Sequence, residues 1–243
     1  LNSWGRRAFE REAQHRTKDD EDGLWRRARD LDPYRVVRAP ELARVVVGVD
    51  PSATAGGDEA GVVVAGLDER GHGHALADLS IQGSPALWGS VARIGAVLFG
   101  ADKLVAEANN GGQMVEVVIR NIGALTDDIR RELYRVFAPW FSRAEVDAAI
   151  KKTFMIPVRL VHASRGKQTR AEPVQALAEE GRIHHVGTFD ALEDELCGWK
   201  PGDPSPNRLD AYVWALTELM LGGKQPPKGI MPSGDTRTAP WSV

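Results

Sequence analysis

The sequence predicts a mixed α/β fold, in which three consecutive strands form an antiparallel meander and the rest of the chain alternates helix and strand, with helices on both faces of the sheet. Three observations point there. Three β-rich runs follow one another between residues 44 and 81, separated by short glycine-containing loops. The apolar period then changes to three and four at Pro85. From that point strand-like and helix-like stretches alternate up to a closing amphipathic segment, the order expected of a sheet covered by helices.

Taken in order, Arg44 to Asp50 (RVVVGVD) and Gly61 to Leu67 (GVVVAGL) are β-branched runs, and Gly73 to Ile81 (GHALADLSI) alternates apolar with small or polar residues. Pro85, Leu87, Trp88, Val91, Ile94 and Leu98 recur at helical spacing and predict a helix over about 84–99. Lys103 to Glu107 (KLVAE) returns to strand, Asn109 to Gly112 make a turn, and Met114, Val117, Val118 and Ile122 fit a helix. A charged helical insertion over about 126–152 follows, then a strand at Ile156 to Val161, a helix from Thr169 stopped by Gly181, and a short strand at Ile183 to Val186. Phe189 to Trp199 and Asn207 to Leu221 are the last two helices, with the loop GDPSP between them.

Residues 1–40 are rich in charge of both signs without an apolar period and read as a linker or extended arm; the Gly, Pro, Lys and Ser content of 222–243 reads as a disordered tail. That leaves 41–221 as the folded domain. The chain begins at Leu1, as expected of a piece of a longer protein.

Composition narrows the class. With 34 acidic and 31 basic residues the net charge is −3, and 42% hydrophobic content over 243 residues supports one packed domain, not a disordered or fibrous chain. The single cysteine, Cys197, excludes an internal disulfide and any zinc site built on two cysteines, and fits a reducing compartment. No apolar run approaches the ~20 residues that span a bilayer, so no membrane partner is expected.

Three carboxylates carry the chemistry. Asp50 ends the first strand, where Pro51 turns the chain away, and Glu107 ends the KLVAE strand. Asp210 lies in the first turn of the last helix beside an apolar stripe of Leu209, Val213 and Leu216. Strand-end acids taken singly are usually solvated or cap a helix. Three that converge, with no evident basic partner, repel one another unless divalent cations neutralise them, and an all-oxygen donor set selects Mg²⁺ or Mn²⁺ over zinc.

The runs VVVGVDPSA, VAEANNGG, HASRGKQTRAEPVQALAEEGRIHHVG and SPNRLDAYVWAL, in that order over about residues 41–221, resemble the nuclease domain of the large terminase subunit of tailed bacteriophages, with its ribonuclease H-like fold. WGRRAFERE and DDEDGLW in the arm resemble the segment that follows that family's ATPase motor. The resemblance implies an endonuclease that hydrolyses double-stranded DNA with two Mg²⁺ or Mn²⁺ ions, leaving 5′ phosphate and 3′ hydroxyl. It implies metal ligands at Asp50, Glu107 and Asp210, and a lysine at the scissile phosphate at Lys167, with Arg170 one turn further on. Asn207 stands where some relatives have His or Asp, and Asp58 is an auxiliary acid in the loop after Asp50. The insertion at about 123–154 is longer than the family's usual connection. The implied partners are the motor domain of the same parent chain, the terminase small subunit and the portal, in the host cytoplasm.

Other features are weaker. Residues 151–185 hold seven basic residues (Lys151, Lys152, Arg159, Arg165, Lys167, Arg170, Arg182) against three acids (Glu172, Glu179, Glu180), a local excess of +4 that reads either as a phosphate-facing patch or as solvated surface. His72 with His74, and His184 with His185, read as surface pairs, since no third ligand completes a site. Trp88, Trp199 and Trp214 fall in apolar patterns and read as core. SRGKQT lacks both the first glycine and the hydroxyl of a phosphate loop, so no bound nucleotide is expected. The competing readings are an ATP-binding fold of the actin and sugar-kinase group, for which one copy of the fold is too few, a silent DNA-docking domain, and another ribonuclease H-like nuclease such as a resolvase.

Overall fold

The computed structural model describes residues 23–51, 59–109, 112–121, 125–152, 156–163, 166–204 and 206–222. Residues 1–22, Asp58, Asn110, Gly111, Arg165 and 223–243 lie outside that set.

The strands are β1 (Leu42–Asp50), β2 (Glu59–Asp68), β3 (Gly73–Asp78), β4 (Ile81–Gln82), β5 (Lys103–Glu107), β6 (Val158–Val161) and β7 (Ile183–His185). They form one seven-stranded sheet in the order β6-β5-β1-β2-β3-β7, with β4 added to β2. β1, β2 and β3 pair antiparallel, whereas β5 joins β1, β6 joins β5 and β7 joins β3 in parallel. The helices are α1 (Pro85–Leu98), α2 (Gln113–Arg120), α3 (Asp127–Phe137), α4 (Arg143–Lys151), α5 (Lys167–Glu179), α6 (Asp190–Gly198) and α7 (Asn207–Leu216), the last continued by a π-helical turn, Thr217–Leu221.

Side-chain alternation along the strands divides the core in two. Val45, Val47 and Val49 of β1 join the cluster under α1, while Val46 joins the cluster under α5, α6 and α7. Asp50 is in phase with Val46 and so faces α7. Glu107 is likewise in phase with Val105, which belongs to the α7 side. The parallel register pairs Val49 with Ala106, so the next residues along, Asp50 and Glu107, are neighbours.

Two glycines bring α7 onto the sheet. A Cβ on Gly48 would stand 2.1 Å from the Ala211 carbonyl oxygen, and one on Gly61 would stand 1.9 Å from that of Asn207. Only glycine permits backbone to approach this closely. The same contact delivers Asp210, one residue before Ala211, to the end of β1.

Two expectations change, and the helical insertion is as expected. The described half of the polar arm is packed: Trp25 is 0% exposed and Leu31 2%. Arg27–Leu31 is a π-helical turn, Asp32–Tyr34 a 3₁₀ turn, and Val36 bridges Val186. Two apolar anchors spaced by short irregular turns show no helical or strand period, and the charges between them pair with acids elsewhere in the fold. In α2 the buried residues are Val115 and Ile119, with Met114 and Val117 exposed, because this apolar-rich helix offers two candidate stripes at the same spacing. The insertion is two capped helices: Thr126 accepts from Ile129 N, and Ser142 with Glu145 forms a capping box. They bury Leu133, Phe137, Val146 and Ala149 against α1, and Trp140 and Phe141 meet Phe99 edge-on at 5.8 and 5.1 Å. Their visible work is to extend the core.

Candidate metal centre

One carboxylate oxygen from each of Asp50, Glu107 and Asp210 lies within 4.8 Å of the others, and among the described residues this is the one group of three such ligands. The three residues are 9, 9 and 3% exposed. Each is placed by a different element: Asp50 and Glu107 by adjacent parallel strand ends, Asp210 by the helix seated on Gly48.

The three acids differ in what surrounds them. Glu107 is fully engaged: its Oε1 accepts from Asn109 Nδ2 at 2.8 Å, and its Oε2 accepts from Trp214 Nε1 at 2.7 Å and Arg170 Nη1 at 3.2 Å. Asn109 is itself held by Ala163 N, which donates to its Oδ1 at 3.1 Å. Asp210 takes Arg170 Nη2 at 3.4 Å and Lys167 Nζ at 3.1 Å. Asp50 accepts no hydrogen bond and forms no ion pair among the described residues. Burial, then the charges of Asp210 and Glu107, push its carboxyl up to about 8, against the weaker opposing pull of Lys167 and Arg170.

This corrects the expectation that the acids lack basic partners. Lys167 and Arg170 project from the first turn of α5 into the cluster, leaving three negative charges against two positive ones. Lys167 is half exposed, at the mouth. Arg170, expected at a DNA phosphate, is only 9% exposed in its side chain, and its guanidinium lies 4.7 Å from the centre of the Trp214 ring. Two carboxylates and an indole face, all reachable from one helical position, hold it inward. Asn207 is not in the cluster either. Its amide donates to the backbone oxygen of Glu59 and so pins the start of α7 to β2.

Sequence reasoning missed Trp214 and Asn109. Trp214 is buried as expected, but it stands four residues after Asp210 and so shares its face; that spacing was the available signal. The basic run of 151–185 is not one patch. β6 and β7 are opposite edges of the sheet, which separates Arg159 from Arg182, and Arg159 is paired with Glu218. The histidines are also not two surface pairs: His72 and His74 both stack on His184, at 5.2 and 4.9 Å, and His185 is buried against Glu193 and Tyr212.

The site fits a hard divalent cation. Its donors are all carboxylate oxygens, they converge, and one of them is buried with no ion-pair partner among the described residues.

The sequence profile of the terminase RNaseH-like domain matches residues 47–220. The chain belongs to this terminase family. Its ribonuclease H-like architecture is the mixed sheet described above, with Asp50, Glu107 and Asp210 all inside the matched region. Among solved structures, the terminase domain is similar to the human cytomegalovirus terminase nuclease domain, with 10% identity over 73% of this chain and 83% of that one (TM-score 0.40). It is similar to the nuclease domain of the large terminase subunit gp2 of bacterial virus Sf6, with 14% identity over 80% and 98% of the two chains (TM-score 0.35). T. thermophilus RuvC in complex with a Holliday junction substrate matches with 17% identity over 73% and 94% (TM-score 0.31). No curated protein matches the chain. Among the described residues no helix is long and apolar enough to cross a membrane.

Proposed function

We propose that this terminase domain is a metal-dependent endonuclease that hydrolyses phosphodiester bonds of concatemeric double-stranded DNA during packaging. The observation that carries the reading is the convergence of Asp50, Glu107 and Asp210, with Asp50 buried and forming no ion pair among the described residues. Two Mg²⁺ or Mn²⁺ ions held by these three residues would activate water for in-line attack and stabilise the leaving 3′ oxygen.

The chain's own residues supply position and charge. Trp214 and Asn109 fix the Glu107 carboxylate from two sides, so that it meets its ligand in one orientation. Gly48 and Gly61 hold α7, and with it Asp210, against the strand that ends in Asp50. Lys167, half exposed beside Asp210, would meet a phosphate entering the site. Asn207 acts at a distance, by anchoring α7. The net charge of −3 and the divided basic run make the grip on DNA weak and salt-sensitive, because affinity follows the number of phosphates neutralised. Delivery of DNA and choice of the cutting site then fall to the ATPase motor of the parent chain, the small subunit and the portal, in the host cytoplasm. No nucleotide takes part in the cut.

Supercoiled plasmid tests the reading. Nicking and linearisation are expected with Mg²⁺ or Mn²⁺ and none in EDTA, with Glu107→Gln and Asp210→Asn inactive though folded. Cleavage that persists in EDTA, or an Asp210 variant that cuts like the parent, would overturn it.

A further inference from the structure

Arg170 is the one member of the site whose placement the hydrolytic reading does not use. Its guanidinium spans the other two acids, donating one arm to Glu107 at 3.2 Å and the other to Asp210 at 3.4 Å. It is 9% exposed, and its Nε is buried with no hydrogen-bond partner among the described residues. A buried charged donor left unsatisfied is expensive, so the inward position is held by the two carboxylates and the Trp214 face and is not otherwise optimised. Lys167, by contrast, pairs among the described residues with Asp210 alone and is 45% exposed.

We propose that Arg170 is a resident cation that competes with divalent metal for the Glu107–Asp210 side of the site, so that ions load in two unequal steps. The inference rests on the reading of the site as a metal centre. The first ion takes the side on which Asp50 has no positive partner. The second must be accommodated where a guanidinium already bridges the remaining carboxylates. Charge works in the same direction: with all three acids ionised, the five side chains sum to −1, one divalent ion makes the site +1, and a second without movement of Arg170 makes it +3. Close like charges in a buried site repel strongly. Arg170 therefore has to release its carboxylates for the second ion to be held well, or the negative charge of a DNA phosphate has to join the site.

Calorimetric titration of the full chain with Mn²⁺, without DNA, tests this. In the parent, two steps are expected, the second weaker by at least about tenfold. Arg170→Gln, which removes the charge and keeps a hydrogen-bonding amide on a shorter side chain, should strengthen the second step by about tenfold while moving the first much less. Arg170→Lys, which keeps the charge without the fork, should fall between them and serves if the glutamine variant does not fold. Lys167→Gln should change both steps by less than Arg170→Gln changes the second, because its ammonium is half in water. Two equal sites in the parent, or a glutamine variant that shifts both steps alike or neither, would overturn the role of Arg170 and leave the metal centre standing. Absence of any Mn²⁺ binding in the parent would instead remove the metal centre itself.

Discussion

Glu193 and Asp50 are both acids withdrawn from water, and the fold treats them in opposite ways. Glu193, in α6, is 0% exposed. It accepts from Arg35 at 2.6 and 3.0 Å, from Arg27, from His185 Nδ1 at 2.9 Å and from Phe189 N at 3.3 Å. Burial alone would raise its pKa, but the hydrogen bonds and charges of His185 and Arg35 hold it well below the usual carboxylate range. Asp50 receives no such bond among the described residues, and burial beside two other acids pushes it up to about 8. One acid is satisfied within the chain and staples residues 27–35 to α6 and β7. The other has no such partner among the described residues. Buried charge with its partners supplied is structural, and buried charge without them marks a site.

The largest effect expected from this contrast is on stability. Glu193→Ala leaves two arginines and a histidine without their shared acceptor and should destabilise the protein by about 3–5 kcal/mol, as for removal of one member of a buried ion pair. Urea unfolding measures it, and the folded fraction should bind Mn²⁺ as the parent does. A loss below about 1 kcal/mol would mean that the network is not a staple.

Asp50→Asn should act in the reverse direction. The folded state holds the Asp50 proton up to about pH 8, whereas the unfolded chain releases it near its ordinary value of 3.8. Between those values the native state binds more protons, so this group makes stability fall as pH rises. His74, which burial holds below its ordinary value of 6.5, gives the opposite slope in part of this range, as Glu193 does near pH 4.5, so the slope due to Asp50 is the difference between the parent and a variant that keeps both groups. In EDTA the asparagine variant should melt at or above the parent temperature at pH 7 to 8, with a flatter decline from pH 5 to 8, while nuclease activity is lost. The same pH slope in the parent and the asparagine variant over that range would contradict the unpaired state of Asp50.

The smallest effect belongs to Lys167→Ala. Its ion pair with Asp210 is half exposed, so stability should change by less than about 1 kcal/mol. Cleavage should weaken alike at every sequence, as for the loss of a phosphate contact, and digestion of several unrelated linear DNAs would show it. Loss confined to one sequence would assign Lys167 to base recognition instead.

The parts of this contrast were unequally legible in the sequence. Asp50 and Glu107 could be placed because each ends a clear β run, and strand phase decides which face a terminal residue takes. Asp210 could be placed because the apolar stripe of its helix shows which side meets the sheet. The staple was hidden: Arg27 and Arg35 flank a π-helical and a 3₁₀ turn without periodicity, and their shared partner Glu193 is more than 150 residues away in the chain. Arg170 reads from the sequence as a DNA phosphate contact within the basic run, because linear proximity to Arg159 and Arg182 says nothing of strands at opposite sheet edges. Its inward turn depends on three groups from β5 and α7 meeting one position of α5, a coincidence that exists only in the assembled fold.

The most direct measurement is thermal unfolding of the parent and of Asp50→Asn at pH 7, each in EDTA and across a Mn²⁺ series. A ligand that binds only the folded state raises the melting temperature with its concentration. The parent should start at or below the variant in EDTA and overtake it as Mn²⁺ rises, while the variant gains little. Equal gains in both proteins, or no gain in the parent, would contradict a site held open for a divalent cation at Asp50.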